Sequence, residues 1–148
     1  MILSCFIVKN SNFKNVKFIN VNFQSCFFQD CSFTNCVFEN GYFHSATFEK
    51  CILKNCSLIK CNLNKSDFTE TTFDNCQIQN GSIGKAWFEL CHFMEITFID
   101  IEATQVGSAS IVDSKFSNKA NSSIEFNGPF FLIDILYPVN GILGLLSD

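Results

Sequence analysis

The sequence predicts an all-β solenoid, a chain wound into stacked four-sided coils that are joined by parallel backbone hydrogen bonds. Three observations carry this reading. Every fifth residue from Leu3 to Phe98 is large and apolar, without a break. The residue two places before each of these is mostly small once the first coil is passed. The small residues also sort into distinct columns when the chain is laid out with a period of twenty.

The large series begins Leu3, Val8, Phe13, Phe18, Phe23 and Phe28 and ends Phe88, Phe93 and Phe98; thirteen of its twenty members are Phe. A period of five matches neither the 3.6 of a helix nor the 2 of a strand. It matches a chain that runs extended for a few residues, turns a corner and repeats. Two positions two apart in the extended piece point inward, one large and one small, and the residue between them points outward. Such a chain must coil and stack each turn on the last.

The number of sides comes from the small series. With a period of twenty, Gly41, Cys61 and Gly81 share one column and Ala46, Ser66 and Ala86 another. Two further columns hold Cys31, Cys51, Thr71 and Cys91, and Cys36, Cys56 and Cys76. Asn15, Asn35, Asn55 and Asn75 also align, and a ladder of them would share amide hydrogen bonds. Asn suits these places beside corners because it tolerates turn geometry and can bond nearby backbone. Three sides would scatter this grouping; four sides of five residues explain it.

The units Val21-Asn22-Phe23, Cys61-Asn62-Leu63 and Ser66-Asp67-Phe68 resemble the motif of the pentapeptide-repeat proteins. The resemblance covers residues 1–100. It implies a right-handed quadrilateral parallel β-helix, here with Phe in place of the commoner Leu and Cys in place of the commoner Ala. Some members of that family mimic duplex DNA and bind type II topoisomerases, as acidic rods paired through their C-terminal ends. A shared fold does not by itself carry a shared function.

Taken in order, residues 1–100 give five regular coils. At about 4.8 Å per coil these make a rod roughly 24 Å long. The frame fails after Phe98, where Ala103, Ser108 and Asp113 are poor fillers. A shifted frame returns at Ile111, Phe116 and Phe126, with Ala109, Ser114 and Ile124 two places before, so residues 101–128 read as a corner slip and a degenerate last coil. Residues 129–148 are largely apolar. Pro129 is placed to open a short capping helix and Pro138 to stop it. An open coil end invites edge pairing, so this segment is expected to cap the core. A homodimer contact is the alternative, and Phe130, Phe131, Ile133, Leu136 and Tyr137 are the candidates for either role. Asp134, Pro138 and Asn140 interrupt the stretch and argue against membrane insertion.

Composition removes several classes of function. The chain has 148 residues, a net charge of -4 and no Arg, which argues against direct nucleic-acid binding. No apolar run is long enough to predict a membrane span. Met1 to Lys9 lacks a basic region ahead of its apolar residues, so no signal peptide is expected. Nine Cys without an export signal read as free thiols in a reducing, cytoplasmic compartment, with delivery into a host cell as a variant of that reading.

No catalytic, cofactor-binding or metal-ligating set stands out. The Cys columns lack paired C-x-x-C spacing, and a buried Cys behaves as a compact hydrophobe. His44 and His92 fall on different sides of the coil. Every strongly patterned residue already has a packing role, so no enzyme and no cofactor are expected. The outward residues are what a partner would meet. Phe27 and Trp87 lie in one outward column with Ile7, Thr47 and Asp67; Ile19, Ile59 and Ile99 lie in another with Glu39 and Gln79. Phe27, Trp87, Ile19, Ile59 and Ile99 are the candidate contacts of a non-catalytic interaction module that offers flat faces to a protein partner. The alternatives are a DNA-mimic inhibitor or protector of type II topoisomerase and a secreted bacterial effector adaptor. Against the DNA-mimic reading, lysines are interspersed along the coils and leave no continuous acidic stripe in the sequence.

Overall fold

The computed structural model describes residues 5–102, 109–112, 115–116, 123–127 and 130–133. Short strands wind through a four-sided parallel solenoid, and each coil pairs with the next twenty residues on. Side I is a seven-stranded sheet of Ile7–Lys9, Phe27–Gln29, Thr47–Glu49, Asp67–Thr69, Trp87–Glu89, Ala109–Val112 and Phe130–Ile133. Side II stacks Asn12–Lys14, Ser32–Thr34 and Ile52–Lys54, and side III stacks Lys17–Ile19, Val37–Glu39 and Ser57–Ile59. Thr72–Gln79 and His92–Glu102 run through the corner and join sides II and III into one sheet. Side IV is made of turns. Its coils form no strands there and pair through single bridges at Asn22, Tyr42, Asn62 and Ser82, and the amides of Cys26, Ala46, Ser66 and Ala86 bond back to Phe23, Phe43, Leu63 and Ile83 at 2.9–3.1 Å.

The corners explain why the period is five. Every residue whose number is a multiple of five, from Cys5 to Asp100, has φ between 50° and 61°. This left-handed conformation turns the chain after each extended piece. Eight of these twenty residues are Asn and two are Asp, the non-glycine types that adopt it most readily. The corner amides then bond to the next coil: the Asn35 amide donates to the carbonyl of Lys54 at 2.9 Å, and the Asn55 amide to that of Asp74 at 2.8 Å.

The core is a set of ring stacks parallel to the solenoid axis. On side I, Phe28, Phe48, Phe68 and Phe88 stack at 4.7, 4.9 and 4.8 Å between centroids, with planes within 11° of parallel. Phe13 stacks on Phe33 and Phe18 on Phe38 in the same way. Rings on adjacent sides meet edge to face, as Phe28 and Phe33 do at 71°. Both arrangements are preferred geometries for aromatic pairs. Leu53, Leu58, Leu63, Ile78 and Ile83 continue the stacks where Phe is absent. No described side-chain nitrogen or oxygen is buried without a hydrogen-bond partner.

Beyond Glu102 the winding continues across insertions. Ile111 pairs with Phe88 and Phe116 with Phe93, each twenty-three residues on instead of twenty. Ile124, expected at a small position two before Phe126, instead pairs with Phe98 in the large column, while Phe126 pairs with Ile101 after a register shift. The helix expected to open at Pro129 is corrected over its first part: Phe130–Ile133 is a strand, paired in parallel with Ala109–Val112. Its apolar residues meet an existing sheet edge, and pairing along that edge satisfies their backbone. Leu136 and Tyr137 lie outside the described residues. No helix among the described residues is long and apolar enough to cross a membrane.

Candidate interaction faces

The residue between the small and large inward positions points away from the core on every coil, so each side carries straight outward rows. On side I the first row is Ile7, Phe27, Thr47, Asp67 and Trp87 in unbroken register. Ile7 is 68% exposed and Trp87 40%, while Phe27 is half-buried. The second row is Lys9, Gln29, Glu49, Thr69 and Glu89. The corner after it adds Asp30, Lys50, Glu70 and Leu90.

Side I and the corner after it thus carry Asp30, Glu49, Asp67, Glu70 and Glu89 against Lys9 and Lys50, while the corner before it holds Lys65 and Lys85. Side I and the corner after it hold five of the ten carboxylates between residues 5 and 102, with two of the eight lysines. Partial burial raises the Asp67 carboxyl above its ordinary value, and the Glu89 charge raises it further. The Trp87 indole Nε1 donates to Glu89 Oε2 at 3.3 Å, and Gln29 Nε2 donates to Glu49 Oε1 at 3.4 Å. Aromatic and acidic groups therefore share one flat sheet.

Side III places Ile19, Glu39, Ile59, Gln79 and Ile99 in one row, as the sequence predicts. Ile19 is exposed, whereas Ile59 and Ile99 are half-buried. The row on side I and the row on side III face away from each other across the core. Sequence reasoning missed four exposed apolar side chains: Phe6, Tyr42, Ile52 and Leu90. Tyr42 and Ile52 occupy outward positions of the same frame, so the frame alone identifies them. Tyr42 stacks on the His44 ring at 5.9 Å, and Ser45 Oγ lies 3.1 Å from His44 Nδ1. His92 lies on side II.

At the corner between sides II and III the Asn ladder forms. Asn35 Nδ2 donates to Asn15 Oδ1 at 3.2 Å, Asn55 to Asn35 at 3.2 Å, and Asn75 to Asn55 at 2.8 Å. Beside it an open depression is lined by Asn55, Cys56, Ser57, Asn75, Cys76, Gln77 and Thr97.

Eight cysteines are buried free thiols and Cys5 is an exposed one. Cys31, Cys36, Cys51, Cys56, Cys61, Cys76 and Cys91 each donate to a carbonyl twenty-three residues earlier, on the preceding coil, at 3.1–3.5 Å. Thr71 makes the equivalent bond to Phe48. Burial pushes the Cys51 and Cys91 thiols up to about 12 and Cys61 up to about 11. These three are protonated fillers that tie coil to coil. The neighbouring thiols of Cys56 and Cys76 act on each other: that interaction and burial raise Cys76, and the interaction lowers Cys56. Among the described residues no three His, Cys, Asp or Glu side chains come together to hold a metal.

The family model of the pentapeptide repeat region matches residues 32–106, and that of eight-copy pentapeptide repeats matches residues 11–49. No curated protein sequence matches the chain. Among solved structures it is similar to trypsin-treated QnrB1 (R167E), a plasmid-mediated fluoroquinolone resistance protein, with a TM-score of 0.52 and 14% identity over 95% of this chain and 87% of that one. It is also similar to HetL, a pentapeptide repeat protein involved in heterocyst differentiation regulation from a Nostoc cyanobacterium, with a TM-score of 0.50 and 8% identity over 88% of this chain and 62% of HetL. At these identities the likeness is one of fold.

Proposed function

The chain belongs to the pentapeptide-repeat family, and from that premise we propose that it is a non-catalytic protein-interaction module that docks its partner on side I. The observation that supports this is the flat sheet on which exposed Ile7 and Trp87 and half-buried Phe27 share one row, flanked by carboxylates. Aromatic anchors surrounded by charge are the composition that concentrates binding energy at interfaces. The matching partner surface is apolar with a basic rim.

The test is affinity capture from a lysate of the source cells, read by mass spectrometry. A Trp87→Ser, Phe27→Ser double variant and a Glu49→Gln, Glu89→Gln double variant serve as probes of side I. An Ile19→Ser, Ile59→Ser, Ile99→Ser variant probes side III. Loss of the captured protein in both side I variants alone supports the proposal. Loss only in the side III variant moves the interface to that face.

The second reading is a DNA mimic that inhibits or protects a type II topoisomerase. The concentration of carboxylates on side I favours it, because such a mimic needs acidic groups on one face. A gyrase supercoiling assay, with and without the protein and in the presence of a fluoroquinolone, separates the two readings. No change in supercoiling at saturating protein removes the mimic.

A further inference from the structure

Charge and unpaired backbone divide along the axis of the solenoid. The seven-stranded sheet of side I starts at Ile7–Lys9 and ends, among the described residues, at Phe130–Ile133, and every pairing between them is parallel. In the second coil the leading amides donate backwards: Phe27 to the carbonyl of Phe6 at 2.8 Å, Ser32 to that of Ser11 at 2.9 Å and Val37 to that of Val16 at 3.0 Å. Their counterparts in the first coil, the amides of Ile7, Asn12 and Lys17, have no coil before them among the described residues. The rings at this end are uncovered as well. Phe13 and Phe18 are half-buried, whereas Phe33 and Phe38, one coil on, are 1% and 2% exposed. Residues 1–20 carry Lys9, Lys14 and Lys17 and no carboxylate. Residues 86–102 carry four carboxylates and no lysine, and residues 103–148 add four more against two lysines.

We propose that the chain binds a second copy of itself head to tail, the basic first coil of one molecule continuing the parallel stack from the acidic C-terminal end of the next. A parallel ladder is polar, so the amides left free at its first strand match carbonyls at its last. Head-to-head stacking would instead set the strands antiparallel and bring the three lysines of each copy together, and like charges facing each other repel. Head-to-tail contact sets Lys9, Lys14 and Lys17 toward carboxylates and covers the Phe13 and Phe18 rings. The contact is heterologous and does not close on itself, so growth leads to a short open filament. It is limited to the cross-section of one coil, so association is weak and follows concentration. It uses the ends of the rod and leaves the outward rows of side I free.

The test is sedimentation velocity on the full chain, under reducing conditions because Cys5 is an exposed thiol. The expected result is a weight-average mass that rises with protein concentration past that of a dimer at low salt and falls as salt is added. Lys9→Glu, Lys14→Glu and Lys17→Glu together lower the association constant by roughly tenfold or more. Asn12→Pro removes one free N–H of the edge, donates nowhere else within the chain, and lowers association as well. Two controls leave association unchanged: Lys54→Glu, Lys60→Glu and Lys65→Glu together, and Glu49→Gln with Glu70→Gln on side I. A monomer at every concentration, assembly that stops at a dimer, equal loss in either control, or indifference to salt overturns the proposal. The mass limit and the salt dependence are read on the unaltered protein, so they decide the matter even if a variant fails to fold.

Discussion

Truncating a ring at the centre of a stack should cost far more than truncating one at its end. Phe48 is 2% exposed and lies between Phe28 and Phe68, at 4.7 and 4.9 Å, with Phe33 and Phe43 beside it at 6.3 and 6.0 Å. A buried Phe removes about 150–250 Å² from water, which at about 25 cal/mol per Å² is worth roughly 4–6 kcal/mol. Ala keeps a small part of that. The coils on either side are pinned by backbone bonds of 2.9 Å, Thr47 to Cys26 and Asp67 to Ala46, so the void cannot close. Phe48→Ala is therefore expected to lose about 4–5 kcal/mol, the upper part of the range for such changes. Phe18 is only half-buried and has a stacked neighbour on one side, Phe38. Phe18→Ala is expected to lose about 2 kcal/mol on the same reasoning, part of the ring being already wet and one stacking partner missing. Urea unfolding followed by circular dichroism measures both. A loss below about 1 kcal/mol for Phe48→Ala, or equal losses at the two positions, would refute the stacked-core account.

Three further outcomes follow from particular atoms. Leu90 holds φ at 54° with its side chain exposed, and Leu90→Gly is expected to raise stability by about 0.5–1 kcal/mol, since relief of left-handed strain outweighs the added chain entropy; a thermal melt reads it as a rise of about 2–4 °C per kcal/mol. Gly81→Ala drives a methyl into the Cys61 carbonyl oxygen, which is backbone, whereas the nearest atom to a methyl at Gly41 belongs to the Phe43 ring; Gly81→Ala should cost about 2–3 kcal/mol by overpacking and more than Gly41→Ala in the same melt. Asp67 has a raised folded pKa, so its contribution to stability is complete below the ordinary carboxylate range and is lost as pH rises through the folded value. Asp67→Asn should thus raise the melting temperature at neutral pH and lose that advantage near about pH 3, and a gain that persists in acid would rule the titration out as its cause.

The sequence discloses this fold because almost every residue of the first hundred has one fixed geometric duty. Phe48 or Leu58 must fill the centre of a side, Cys56 or Ala46 must fit beside a corner, and the frame never slips before Phe98. The Asn ladder is legible for the same reason, since in-register Asn residues have nowhere else to point. Other features leave weaker traces. Lys50, Glu70 and Leu90 take the same left-handed corner as Asn35, yet their types do not favour it; at Lys50 and Glu70 the amide bonds to the next coil hold it. Side IV becomes a column of turns, and only Gly41 and Gly81 hint that its coils differ from the rest. Past Glu102 the insertions preserve stacking while breaking the count, so a constant frame assigns Ile124 to the wrong inward position. Outward exposure is the least legible quantity. Ile19 and Ile59 share a row and a residue type, but Ile19 belongs to the outermost described coil and Ile59 has neighbours on both sides.

The four sides are unequal as surfaces, and the inequality has a physical origin. Side IV spends its polar groups on itself: Asn22 and Asn62 accept from the amides of Gln24 and Asn64, and Asn64 accepts from Gly84 on the next coil. The corner between sides II and III is occupied by the amide ladder. Side III alternates Ile with Glu39 and Gln79, so no two isoleucines in its row are adjacent. On side I one outward bond, from Gln29 to Glu49, links successive coils. The ring stack of this side lies inside and its backbone is paired between neighbouring strands, which leaves the outer rows free to vary. Placing Asp67 one coil from Glu89 costs burial of a carboxylate and like-charge repulsion that packing does not require. A row that raises the Asp67 pKa while leaving Trp87 exposed is poorly chosen for stability alone. On the docking proposed for side I, a basic and apolar partner surface would relieve the repulsion and bury the indole together.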